Sequence, residues 1–100
     1  MFEKNFMLMT KPTSTSRNQT FRFFAPNAIS VLLAGDFTEW RKHSILMRKD
    51  KDGIWTTSIQ LRPGKHTYRF IVDGEWFDDP ECTVRVPNPF GSMDMVREAA

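Results

Sequence analysis

Acid–base chemistry is the first possibility this sequence raises, because it carries two carboxylate pairs, Asp73 with Glu75 and Asp78 with Asp79. Cleaving a glycosidic bond takes two carboxyl groups facing each other across a cleft, roughly 5 to 9.5 Å apart. Both pairs instead sit in or beside turn signals: Asp73-Gly74 reads as a type I′ hairpin turn, and Asp79-Pro80 as the start of a loop. His43, His66 and the lone Cys82 show no Cys-x-x-Cys or His-x-x-x-His spacing, so neither a metal site nor a cofactor is expected. Cys82 lies in a strand-like stretch with no nucleophile motif around it and reads as a buried, inert thiol. Gly-x-Gly-x-x-Gly and Walker patterns are absent. The residue types therefore point away from an enzyme.

A different chemistry is offered by two tryptophans. Trp40 closes Gly35-Asp36-Phe37-Thr38-Glu39-Trp40, and Trp76 follows the turn in Val72-Asp73-Gly74-Glu75-Trp76. Each stands beside turn residues and charges rather than inside an apolar run. A rigid indole in such a place suits a flat ligand. A pyranose ring has one face of C–H groups, which stacks on tryptophan at small entropic cost, and an edge of hydroxyls that needs polar partners. Arg69, Lys42, Asn88, Ser92 and Asp94 could supply them. The local sequence leaves two positions open for Trp40, folded over a sheet edge or open to solvent. Trp76 is open in the same way. Arg69 is equally compatible with a plain solvated sheet face.

The elements that must hold these residues read as strands. Thr20–Phe24 alternates, with Phe21 and Phe23 on one face. Ile29–Ala34 is a continuous apolar run, typical of a strand covered on both faces. Trp55, Thr57, Ile59 and Leu61 share a face, which places Trp55 in the core. His66–Val72 alternates with Tyr68, Phe70 and Val72 inward and Thr67, Arg69 and Ile71 outward. Pro63-Gly64 is a type II turn signal. Thr83–Val86 and Met93–Arg97 read as short late strands. The longest connection, residues 36 to 51, carries Trp40, and Phe37 within it is placed to plug the core. Short strands, regular turn signals and no long helical pattern indicate an all-β, antiparallel, immunoglobulin-like sandwich in a single domain. Residues 1–18 read as an N-terminal segment and linker, with Phe2, Phe6 and Met9 at helical spacing. Residues 19–97 read as the module and 98–100 as a tail.

Bulk composition limits the remaining classes. A chain of 100 residues makes one domain that buries roughly two-thirds of its unfolded surface. That is far short of the ~250 residues of a (β/α)8 glycosidase barrel. A net charge of +2, with both signs interspersed, argues against nucleic acid as a partner. No run approaches the ~18 apolar residues of a membrane span. A single cysteine fits a reducing compartment, so the expected location is cytoplasmic.

The ordered series Gly35–Trp40, then Leu61-Arg62-Pro63-Gly64-Lys65-His66-Thr67-Tyr68-Arg69-Phe70-Ile71-Val72-Asp73-Gly74-Glu75-Trp76, then Asp79-Pro80, resembles carbohydrate-binding module family 48. This is the glycogen-binding type found in the β subunit of AMP-activated protein kinase and in N-terminal modules of branching enzymes and isoamylases. The resemblance covers residues 20 to 97. It implies a sandwich that binds α-1,4-linked glucans such as glycogen and maltooligosaccharides without catalysis. It further implies that Trp40 and Trp76 stack on glucose rings and that Arg69, standing where the family has lysine, contacts hydroxyls. Phe90-Gly91-Ser92-Met93-Asp94 matches the late Leu-Gly-Thr-x-Asn segment, which assigns Phe90, Ser92 and Asp94 to the rim. Four of these positions depart from the pattern, of which Ser92 keeps the hydroxyl of threonine. Phe90 is larger than leucine, Asp94 loses the amide donor of asparagine, and Arg69 replaces a point charge by a planar fork. The alternative is a scaffold domain of the same fold that meets a protein partner, acting in trans with a glucan-processing enzyme or kinase.

Overall fold

The computed structural model describes residues 17–99. The N-terminal spacing of Phe2, Phe6 and Met9 lies outside them. Among the described residues nine strands follow in order: β1 (Arg17–Phe24), β2 (Val31–Gly35), β3 (Ile45–Leu46), β4 (Arg48–Lys49), β5 (Ile54–Leu61), β6 (Gly64–Val72), β7 (Glu75–Phe77), β8 (Arg85–Pro87) and β9 (Met93–Ala99). A short 3-10 turn spans Asp36–Thr38, and no α-helix is present among the described residues. All pairings are antiparallel. One sheet runs β3-β2-β6-β9-β8, with β7 also paired to β6; the other runs β1-β5-β4. The expected all-β sandwich is the architecture formed.

The core lies between the two sheets. Phe21, Trp55 and Leu61 enter from the smaller sheet, and Val31, Leu33, Tyr68, Phe70, Val72 and Met95 from the larger. Phe21 meets Tyr68 edge-on at 4.8 Å, and Phe23 meets Phe70 at 4.9 Å. Trp55 is 6% exposed, and its indole N–H donates to the Ala25 carbonyl at 2.8 Å, so the polar end of a core aromatic is satisfied. Phe37 packs against the same cluster, with its ring 6.0 Å from Phe21. Arg97 on β9 crosses to β1, where it donates to the Thr20 carbonyl and covers the Phe21 ring at 4.0 Å.

Several boundaries differ from the sequence reading, each for a local reason. Ile29 is 89% exposed and precedes β2. The backbone N–H groups of Ile29 and Ser30 bond the Asp73 carboxylate at 2.8 and 2.9 Å instead of a strand. The Asp73-Gly74 hairpin forms as expected, with φ of 50° and 88°, both positive as a type I′ turn needs. Gly64 is the first residue of β6, paired with Ala99, so Pro63-Gly64 leads from one sheet to the other and closes no hairpin. The long connection after Asp36 contains β3 and β4, one in each sheet, with buried Met47 between them. Strand β8 begins at Arg85, because the Asp79-Pro80 turn continues through Cys82: Cys82 N–H donates to the Asp79 carbonyl at 3.2 Å. Cys82 is therefore half-buried in a turn, with Sγ 3.4 Å from the Val84 and Val96 carbonyls. Strand β9 runs on to Ala99, which is 2% exposed in the core.

Tyr68, the single tyrosine of the chain, is 1% exposed and donates to Asp79 Oδ2 at 2.6 Å. Burial first, and then this bond to the carboxylate, push its hydroxyl pKa well above the ordinary 10.0. The unfolded chain gives up this proton near pH 10, whereas the fold retains it. The unfolded state then binds fewer protons, and stability falls as pH rises above that point. The contribution is fully present below about pH 10. We expect no tyrosinate absorbance from the folded protein at about pH 11 and its appearance on unfolding. Tyr68→Phe leaves Asp79 Oδ2 without its donor, the Glu81 N–H still serving Oδ1, and should lower stability in urea melts at neutral pH by about 1–3 kcal/mol. A tyrosinate signal rising near pH 10 in the folded protein would contradict this picture.

Candidate carbohydrate-binding cleft

Alternation along β6 sends Tyr68, Phe70 and Val72 into the sandwich and Arg69 and Ile71 to the outer face of the larger sheet. Ile71 has the outward phase read for it, yet it is 0% exposed. Its register neighbours explain this: Leu32 on one side and Trp76 on the other form an apolar row across the sheet. The outer face is thus partly covered, and a cleft of about 530 Å³ lies on it, a volume ordinary for a small-ligand site. Trp40, Trp76, Arg69, Phe90, Ser92 and Asp94 all line this one cleft.

Trp40 reaches the cleft through a strained turn. Glu39 and Trp40 both take left-handed backbone angles, φ 53° and 59°, which side-chain-bearing residues seldom adopt. Each such residue costs about 1–3 kcal/mol and needs surrounding bonds to hold it. Thr38, 4% exposed, supplies them. Its hydroxyl accepts the Gly35 N–H at 2.9 Å and donates to the Trp40 carbonyl at 2.7 Å, with the Gly35 carbonyl a second acceptor at 3.0 Å. The Trp40 N–H donates to the Gly35 carbonyl at 2.9 Å. Gly35 itself is required by close packing, since a Cβ there would stand 2.5 Å from the Thr67 carbonyl oxygen.

Trp40 is half-buried and Trp76 is 38% exposed. Their rings meet edge to face, with centroids 6.3 Å apart and planes at 65°. The two indoles form an angled wall, not a flat floor. Arg69 lies beneath, its guanidinium carbon 5.8 Å from the Trp76 ring, and pairs with Asp78 at 2.9 Å. Asp78 also holds Arg85 at 3.0 Å, which keeps Arg69 directed along the sheet. Phe90, 91% exposed, joins the lining from the loop between β8 and β9. Arg41 and Pro89 also line the cleft and were not singled out from sequence. Arg41 sits 5.2 Å over the Trp76 ring. Its position directly after Trp40 was the available signal. Lys42 is exposed, with Glu39 at 3.8 Å, and is not part of the lining. The Asn88 carboxamide is spent inside its own loop, on Phe90, Ser92 and Asp94.

The groups that first suggested catalysis have other partners. Asp73 pins residues 29 and 30, Asp79 holds Tyr68, and Asp78 bridges two arginines. His66 contacts Asp36 and the Arg62 carbonyl, and His43 contacts Glu39. Asp94 is the one carboxylate among the lining residues. If Thr38 holds the Trp40 turn, Thr38→Val should cost about 2 kcal/mol by leaving a buried N–H and carbonyl unpaired. Near-ultraviolet circular dichroism from the indole pair should weaken as well. Unchanged stability with an unchanged spectrum would assign the turn to other bonds.

Comparison with known proteins follows the same lines. The family described as the glycogen recognition site of AMP-activated protein kinase matches residues 18–95. The chain is 45% identical over 56 residues to protein PTST homolog 2, chloroplastic, of Arabidopsis thaliana, covering 55% of this chain and 10% of that protein. It is 43% identical over 53 residues to the 1,4-alpha-glucan branching enzyme GlgB of Lactobacillus acidophilus, 53% of this chain and 8% of the enzyme. Against the human 5'-AMP-activated protein kinase subunit beta-2 it is 31% identical over 84 residues, 84% of this chain and 29% of the subunit. The matched stretch is thus less than a third of each relative's length. With the family match running from the second residue of β1 into β9, the chain belongs to the glycogen-recognition family of carbohydrate-binding modules.

Proposed function

We propose that the outer-face cleft binds α-1,4-linked glucan chains without chemically altering them. The observation that carries this reading is the Trp40–Trp76 wall standing over polar Arg69, Ser92 and Asp94 in one cleft. Stacking needs an aromatic face at a fixed angle, and hydroxyls need donors and acceptors at its foot; both are present. The 65° angle between the indoles suits two successive rings of a curved chain better than one flat ligand. Arg69 donates to ring hydroxyls, while the Asp94 carboxylate accepts from them. Arg41 must swing off the Trp76 ring where a sugar takes its place, a modest loss of about 0.5–1 kcal/mol at an exposed site. Asp73, Asp78 and Asp79, the carboxylates that could have suggested catalysis, are engaged in a turn, in ion pairs and with the Tyr68 hydroxyl, which supports binding rather than hydrolysis.

Relatives named as branching enzymes and as a kinase subunit are far longer than the matched stretch. A glucan-processing enzyme or kinase working beside the module is therefore the protein partner this reading carries.

A shallow cleft of this kind should give dissociation constants from about micromolar to millimolar. Affinity electrophoresis in glycogen and calorimetry with maltoheptaose check it. Trp40→Ala and Trp76→Ala should each weaken binding about tenfold or more while both variants still fold cooperatively, Trp76→Ala melting somewhat lower because it uncovers Ile71. Trp55→Ala, in the core, should instead destabilise the fold by about 3–5 kcal/mol. Wild-type protein that no α-glucan retards would end the proposal.

A further inference from the structure

The loop between β8 and β9 is folded around one side chain. Asn88 Oδ1 accepts the N–H of Phe90 at 2.9 Å and of Ser92 at 3.1 Å, and its Nδ2 donates to Asp94 Oδ1 at 3.0 Å. The Asn88 N–H donates to the Ser92 carbonyl at 2.9 Å. These partners fix the orientation of the amide: two N–H donors must face its oxygen, so its nitrogen must face the carboxylate. Every side-chain partner of Asn88 lines the cleft. Phe90 is 91% exposed, so no core packing holds it, and the loop alone decides where its ring stands.

We propose that Asn88 is the positioning residue of the cleft. Its oxygen sets the loop that presents Phe90 and Ser92. Its nitrogen fixes the Asp94 rotamer and leaves Asp94 Oδ2 to accept a sugar hydroxyl. This rests on the glucan-binding reading above. Asparagine alone serves both halves. Aspartate at 88 keeps the acceptor for the two N–H groups but sets two carboxylates against each other, at a place where the present pair is 3.0 Å apart. Alanine loses both halves. Exchanging the pair, Asn88→Asp together with Asp94→Asn, restores the amide–carboxylate bond with its direction reversed.

The test is calorimetry with maltoheptaose on these variants, with thermal melts and amide exchange of residues 90 and 92 measured alongside. Asn88→Ala should bind about tenfold more weakly at an unchanged melting temperature, because the loop must now be ordered by the ligand. Its two amides should exchange faster. Asn88→Asp should be weak at pH 7 and recover as pH falls to about 5, where one carboxyl of the pair takes a proton and donates it to the other. Wild type should stay flat over this range, the other charged groups lining the cleft being Arg41 and Arg69. The exchanged pair should return to within about fivefold of wild type at pH 7, which a loss of general stability could not produce. The proposal is overturned if Asn88→Ala binds as wild type does, or if the exchanged pair stays as weak as Asn88→Ala. Should wild type bind no α-glucan, the functional reading falls and this role with it. Should wild type bind and Asn88→Ala bind equally, only the positioning role falls.

Discussion

The two-residue period of β6 is the constraint on which the rest of the molecule depends. Successive side chains of a strand point to opposite faces. In β6 that single fact gives Tyr68, Phe70 and Val72 to the core, Arg69 to the cleft and Ile71 to the covered part of the same outer face. The strand is held on one edge by β2 and on the other by β7 and β9 in turn. A slip of one residue would send Arg69 into the sandwich and Tyr68 to the ligand face. Burial of Tyr68 and Phe70 against Phe21 and Phe23 forbids that slip, so core packing also sets the position of the site.

Around this rigid strand the cleft is completed by three turns, each built from a side chain bonding backbone. Thr38 holds the left-handed Trp40, Asp73 holds the hairpin that leads to Trp76, and Asn88 holds the loop of Phe90. Each turn leaves a sheet strand and presents one aromatic residue at the outer face. Strain at Glu39 and Trp40 is tolerated because the Thr38 hydroxyl and the Gly35 backbone over-determine the turn. Such fixed turns matter for a weak binding site, since little ordering is left for the ligand to impose.

Much of the fold was legible in the sequence. Alternation in residues 55–61 and 66–72 gave the two principal strands, and Asp73-Gly74 gave a hairpin whose positive φ angles the structure shows. Periodicity failed where side-chain hydrogen bonds compete with sheet pairing. Ile29 looked like strand but yields its backbone N–H to Asp73, and Cys82 looked like strand but sits in the turn begun by Asp79. Ile71 has the outward phase read for it. Its burial comes from cross-strand neighbours, Leu32 and Trp76, which are remote in sequence.

By itself the sequence determined the class of fold, the aromatic core residues of the principal strands, and two tryptophans that the core had no use for. Those follow from short-range rules: strand period, turn chemistry and the cost of leaving aromatic surface in water. Met47, Met95 and Ala99 joined that core only through the tertiary structure. Only the tertiary structure decided that Trp40 and Trp76 meet at 65°, that Arg41 joins them, and that Asn88, itself in the cleft lining, spends its carboxamide on its own loop. These facts depend on which loops converge over one sheet face. Antiparallel register between strands far apart in the chain fixes that convergence, and no local pattern encodes it.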